Sequence, residues 1–274
     1  MIDRNQTKEQ LIKNSLRALN NGSYKGDLLS ALEIENRKLN KNIQFSQQEL
    51  SDMLIEAFEY IPPVEEPPII NTLDMIIEKP TEWLITNYIP KNEVTILCGD
   101  GGTGKGFVSS AITSAISSGE QVFFESEEEY LKQNRQPQKV LFISSEEDIS
   151  KVTKRKMKLQ GNAIEKNIYV LGAENEYTYK VKIGSKELEK LVHSIKPQLV
   201  IIDPIQAFLP PNTNMSDKTT MRDYMGGLKA LAVKEDTTFL ILSHTNKRES
   251  YGRQRVGDSA EIWDASRCVF ILGK

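Results

Sequence analysis

Residues 99–106 read GDGGTGKG, five glycines around one lysine. Gly99, Gly101, Gly102, Gly104 and Gly106 permit torsions that other residues avoid and let a backbone approach a ligand closely. With Asp100, Thr103 and Lys105 they match the phosphate-binding pattern G-x-x-x-x-G-K-[ST] at every place but the last. In that pattern successive N–H groups at a helix N-terminus cradle an anion, and the lysine reaches the β- and γ-phosphates of a nucleotide. The last place, where a hydroxyl normally holds Mg²⁺, is Gly106. Mg²⁺ keeps several waters in nucleotide sites. A water is therefore expected at the vacated position, and metal affinity is expected to weaken without vanishing. Ser109 and Ser110 lie a turn further on and do not substitute directly. The plainer alternative is a glycine-rich turn with a chance lysine, and the strand before the loop and helix after it argue against that.

Four further sets of residues could serve the same chemistry. The apolar segment LVIIDP (199–204) ends in Asp203, the form of a strand that presents a carboxylate to Mg²⁺. The segment VLFISSEED (140–148) ends in Glu146, Glu147 and Asp148. Glu146 comes first after the strand and is the candidate to polarise an attacking water. Glu147 and Asp148 read as favourable charge at the start of the next helix. FLILSHTNK (239–247) ends in Ser243, His244, Thr245 and Asn246, and His244 is placed to sense a terminal phosphate. The stretch that follows carries Lys247, Arg248, Arg253 and Arg255, a basic loop suited to a nucleic-acid backbone or merely solvated. Arg267 precedes a last apolar run; it either pairs with Asp264 or serves as an arginine finger on a neighbouring subunit's nucleotide.

The elements that must hold these residues alternate along the chain. Strands are expected at 94–99, 139–145, 198–203, 237–244 and 266–273, with IYVLG (168–172) a further candidate. Helices are expected over 104–118, about 148–160, 186–195 and 219–235. Strands apolar on both faces, alternating with helices, predict an α/β fold with a mostly parallel sheet flanked by helices. The stretch 125–138, ESEEEYLKQNRQPQ, reads as a solvated acidic insertion. Lys151, Lys154, Arg155 and Lys158 share a helical face, normally solvated. Residues 1–60 read as a small polar helical region, with Ser46 as an N-cap. Residues 61–72 are a proline-rich linker, and 73–274 form the main domain.

Composition narrows the class. A net charge of −3 and a pI near 5.7 argue against a bulk nucleic-acid coat protein and leave room for a local basic channel. Two cysteines without metal-ligand spacing predict no disulfide framework and a reducing, cytoplasmic setting. No apolar h-region opens the chain and no run approaches a membrane span.

Taken in order, EWLITNYIPKNEVTILCGDGGTGKG, VLFISSEED, LVIIDPIQAFLPPNTN, FLILSHTNK and VGDSAEIWDASRCVFIL resemble the RepA-like branch of the RecA/DnaB ATPases over residues 73–274. That branch includes hexameric replicative helicases of plasmids, phages and integrative elements. The resemblance implies a RecA-like P-loop core, ATP and Mg²⁺ as ligands, hydrolysis at subunit interfaces, and a ring around single-stranded DNA. It gives Lys105 the phosphate, Asp203 the Mg²⁺, Glu146 the attacking water and His244 the coupling of nucleotide to DNA. Arg267 falls near the family's arginine finger. Gly106 departs from the pattern. The family adds strands and basic interface residues beyond the position of Lys274, which implies a shortened chain. Two functions stay open on these grounds: an ATP-driven motor on single-stranded DNA, and a nucleotide-gated adaptor or loader. A small-molecule kinase is a distant third, since no acceptor site is visible.

Overall fold

The computed structural model describes residues 4–20, 27–59, 72–78, 80–245 and 260–273. The chain divides into two compact units, Met1–Ile77 and Glu78–Lys274.

The first unit holds helices α1 (Arg4–Asn20), α2 (Leu28–Arg37) and α3 (Gln47–Glu59). Asp27 caps α2 by accepting from Ser30 N at 2.8 Å. Ser46 and Glu49 form a reciprocal capping box at α3: Glu49 N donates to Ser46 Oγ at 3.3 Å, and Ser46 N to Glu49 Oε2 at 2.7 Å. Leu11, Ile12, Leu32, Phe45, Leu50 and Met53 make a small core. Buried Asn36 satisfies the backbone of Phe45 in both directions, at 2.8 and 2.9 Å.

The second unit opens with a short antiparallel pair, β1 (Trp83–Ile85) and β2 (Ile89–Pro90). Its main sheet contains β3 (Val94–Gly99), β4 (Val140–Ser144), β5 (Ile168–Leu171), β6 (Leu199–Asp203), β7 (Thr238–His244) and β8 (Cys268–Leu272). The order is β5-β4-β6-β7-β3-β8, parallel throughout. The helices in chain order are α4 (Lys105–Ser118), α5 (Glu127–Gln133), α6 (Lys154–Gln160), α7 (Lys186–Ile195), α8 (Ile205–Phe208), α9 (Lys218–Lys234) and α10 (Ala260–Asp264).

The strands' double-sided apolarity is explained by what covers them. Ile96, Ile143, Ile202 and Ile241 point to one face, against Leu188 and Val192 of α7 and Met221, Met225 and Leu228 of α9. Their neighbours Leu97, Phe142, Ile201 and Leu240 point to the other, against Ile112, Ala115 and Ile116 of α4 and Met157 of α6. Each such side chain removed from water contributes about 1.5–3 kcal/mol before the entropy of ordering it is counted. The order puts the strand ending in His244 between the phosphate-loop strand and the strand ending in Asp203. This is the α/β fold, a parallel sheet flanked by helices, that the alternation of strands and helices predicted.

The stretch 125–138 is not wholly solvated. Ser126 caps α5, and Glu125 pairs with Arg135 at 2.5 Å with side chains only 0% and 4% exposed. The carboxylate lies in the interior because a guanidinium meets it there. The single helix expected over 148–160 is instead a π-helical turn, Ile149–Thr153, leading into α6. Among the described residues no helix is long and apolar enough to cross a membrane.

Candidate active site

The parallel register brings four strand ends to one edge of the sheet in two level pairs, with β7 and β3 reaching two residues further than β4 and β6. Ser144 aligns with Asp203, and Gly99 aligns with His244. Ligands of doubly wound sheets bind at this carboxyl edge.

The loop after β3 turns through left-handed glycines, Gly102 at φ 76° and Gly104 at φ 93°, where a side chain would be strained. A Cβ on Gly99 would lie 2.7 Å from Thr103 Oγ1 and 2.9 Å from Leu272 O, so the strand end is closed to any larger residue. Thr103 Oγ1 donates to Asp100 O at 2.8 Å, and Thr245 Oγ1 donates to the Asp100 carboxylate. Lys105 opens α4 and is buried. Its Nζ donates to Gly99 O at 2.6 Å and Asp100 O at 3.1 Å, folded back on the loop that carries it.

Asp203 ends β6 and is 7% exposed. Burial pushes its carboxyl from 3.8 up to about 6; Glu146 and Glu147 add to the rise, while Lys105 and Lys156 oppose it. All five groups thus share one electrostatic neighbourhood. Glu146 Oε1 lies 3.1 Å from His244 Nε2, with both side chains about half exposed. Gln206 Nε2, from α8, donates to Ser243 Oγ at 3.2 Å beside that histidine.

Asp148 caps the π-helical turn, accepting from Lys151 N at 3.0 Å and Ser150 Oγ at 2.7 Å, and the hydroxyl bond leads in holding its carboxyl well below the usual range. Glu147 does not share that role. Its Oε1 makes an ion pair with Lys156 Nζ, and its Oε2 accepts from Thr153 Oγ1 at 3.1 Å. Lys156, in α6 just after the π-helical turn, thus stands with Glu147 beside Gly106 of α4.

The position at Gly106 also differs from expectation. A Cβ there would lie 2.7 Å from Lys156 Nζ and 3.2 Å from Glu147 Oε1. The place expected to receive a water is taken by an ammonium group. Sequence reasoning missed Lys156, one of several basic residues between 151 and 158. The one signal was Gly106 itself, which leaves a space that something else must fill.

Arg267 stands at the other end of the sheet. Its N–H donates to Val94 O at 2.9 Å, and the next residue, Cys268, aligns with Thr95. Leu272, five residues on from Arg267, is the β8 residue that aligns with Gly99, so the start of the loop lies about 16 Å away at roughly 3.3 Å per residue. Arg267 therefore does not join its own chain's site. Lys247, Arg248, Arg253 and Arg255 lie outside the described residues.

Among the described residues no group of three or more His, Cys, Asp and Glu forms a metal cage. Mg²⁺ in nucleotide sites needs only one or two carboxylates beside phosphate and water. Asp203, a buried acid with the carboxylates of Glu146 and Glu147 in its neighbourhood, fits that requirement.

A glycine loop at a helix start, its buried lysine and a row of acidic and polar strand ends on a parallel sheet define a P-loop ATPase domain. The chain belongs to the AAA domain family AAA_25, whose model matches residues 67–250, more than half its length. No curated protein matches it. Among solved structures it is similar to one described as an ATPase domain, at 14% identity and a TM-score of 0.47, over 67% of this chain and 70% of that one.

Proposed function

We propose that this chain hydrolyses ATP and uses the cycle to move on single-stranded DNA, as a subunit of a ring, six-membered as the resemblance above implies. The observation that carries the reading is the row of Gly99, His244, Asp203 and Ser144 at adjacent strand ends, with Lys105 and Glu146 immediately beyond.

Each residue then has a task. The phosphates take over Lys105 Nζ from the carbonyls of Gly99 and Asp100, and the N–H groups at the start of α4 hold the same charge. Asp203 holds Mg²⁺, which when bound offsets phosphate charge. Glu146 orients a water and accepts its proton as the water's oxygen bonds to the γ-phosphorus. The bond to the β,γ-bridging oxygen breaks, and ADP and phosphate leave. His244, in contact with Glu146, transmits the state of the γ-phosphate to the basic loop that follows β7. Lys247, Arg248, Arg253 and Arg255 in that loop meet the DNA backbone. Arg267, remote from its own loop, is left for a finger role on a neighbour's nucleotide.

ATP turnover measured with and without single-stranded DNA, alongside mass in solution, tests the reading. Turnover stimulated by DNA in an oligomer supports the motor. A second reading draws on the first unit, which has its own core. A nucleotide-gated adaptor recruiting replication proteins through those helices would show nucleotide binding with no DNA stimulation.

A further inference from the structure

The start of α4 holds a charge arrangement that a helix alone does not favour. The N-terminal end of a helix carries partial positive charge. Lys105 stands there already, and Lys156 brings a second ammonium against Gly106. Lys156 is held from two sides: Glu147 Oε1 pairs with its Nζ, and the Phe107 ring centroid lies 5.4 Å from that nitrogen. Its side chain is 17% exposed and that of Glu147 is 22% exposed. Thr153 fixes the second oxygen of Glu147 at 3.1 Å. A cation fixed beside a positive helix end is stabilised when an anion binds at that end.

The location sharpens this. The pattern residue absent at Gly106 is the one whose hydroxyl would hold Mg²⁺. A serine Cβ here would lie 2.7 Å from Lys156 Nζ, so the ammonium would have to shift to admit it. Gly106 and Lys156 are thus complementary: the missing side chain makes room for the ammonium.

We propose that Lys156 is a resident cation for the nucleotide's phosphates, taking at Gly106 part of the role that a hydroxyl-held Mg²⁺ has in sites with Ser or Thr. Glu147 positions it and neutralises it while no phosphate is bound. Nucleotide binding by this chain therefore depends only weakly on Mg²⁺. The inference rests on reading the site as an ATP site.

The experiment measures affinity for a fluorescently labelled, non-hydrolysable ATP analogue by anisotropy, once in Mg²⁺ and once in EDTA, on the full chain. The wild type is expected to lose less than about tenfold in affinity on chelation. A charge-assisted hydrogen bond to phosphate is worth about ten- to a hundredfold, so chelation should cost Lys156→Met that much more than it costs the wild type. Lys156→Arg keeps the charge and should stay near the wild-type ratio. Gly106→Ser combined with Lys156→Met restores the hydroxyl and clears its space; it should bind well in Mg²⁺ and lose most on chelation. A wild type that loses more than about a hundredfold in EDTA overturns the proposal without reference to any variant's folding. Equal chelation ratios for the wild type and a folded Lys156→Met overturn it as well. If the wild type binds the analogue in neither condition, the ATP reading itself fails, and the proposal with it. Lys105→Ala serves as the non-binding control in both buffers.

Discussion

Glu146 Oε1 lies 3.1 Å from His244 Nε2, although β4 and β7, which lead to these residues, are separated in the sheet by β6. The contact spans the acidic strand end and reaches the strand beside the phosphate loop. In the proposed cycle it ties the group that handles water to the group that relays the state of the γ-phosphate toward the DNA-binding residues. His244→Ala should therefore preserve basal ATP turnover better than its stimulation by single-stranded DNA. The comparison is made by phosphate release across a DNA titration, and equal loss of both components counts against the coupling role.

Lys105→Ala removes the ammonium from a buried site where it bonds only to the carbonyls of its own loop. Nucleotide affinity should fall by at least about tenfold, the worth of one charge-assisted hydrogen bond. Stability to thermal unfolding should fall by no more than roughly 1–3 kcal/mol, the cost of leaving a buried carbonyl without its donor. Anisotropy with a labelled nucleotide and a melting curve check both halves.

The raised carboxyl of Asp203 has a consequence for stability. Burial leads in lifting it from 3.8 to about 6, so the folded chain holds that proton more tightly than the unfolded chain. The benefit is full below 3.8 and is lost as pH rises through about 6. Asp203→Asn escapes the loss. Relative to wild type it should gain roughly 1–3 kcal/mol near neutral pH, and the gain should shrink toward pH 4. Denaturant unfolding at several pH values measures it. Turnover should be lost at the same time, since the proposed metal ligand is gone.

Glu125 and Arg135 make the buried ion pair that the acidic composition of 125–138 concealed. Arg135→Ala leaves a carboxylate without its partner and should cost about 3–5 kcal/mol. Lys132→Ala, which breaks only the exposed pair with Glu128, should cost under about 0.5 kcal/mol. Urea unfolding of the two variants separates them.

The basic loop predicts a salt effect. Removing the charges of Lys247, Arg248, Arg253 and Arg255 should flatten the slope of log affinity for single-stranded DNA against log salt by nearly three units, at roughly 0.7 per phosphate contact. Filter binding at several salt concentrations measures it, and an unchanged slope leaves the loop solvated and moves DNA contact elsewhere.

What the sequence disclosed and what it hid divide along one line. The places of the glycine loop, Asp203 and His244 at strand ends were legible because each is written in consecutive residues, an apolar strand followed by a polar tip. The parallel sheet was legible because its strands are apolar on both faces. Lys156 was hidden because its place depends on a π-helical turn, for which the letters ISKVT give no signal. Glu147 looked like helix charge for the same reason, as its partner lies nine residues on. Arg267 could not be assigned to an end of the sheet until the register of β8 against β3 was known. Glu125 and Arg135 read as solvated because charge composition does not say which members of a run turn inward.

The central claim is that this row of strand ends is a hydrolysing site, with Glu146 as the group that activates water. Its most direct test is phosphate release from ATP by the wild type and Glu146→Gln, at nucleotide concentrations where anisotropy shows both fully bound. The account predicts steady release by the wild type and a loss of about 10²–10⁴-fold in Glu146→Gln, with affinity kept. Undiminished release by Glu146→Gln, or none by a fully bound wild type with or without DNA, would contradict it.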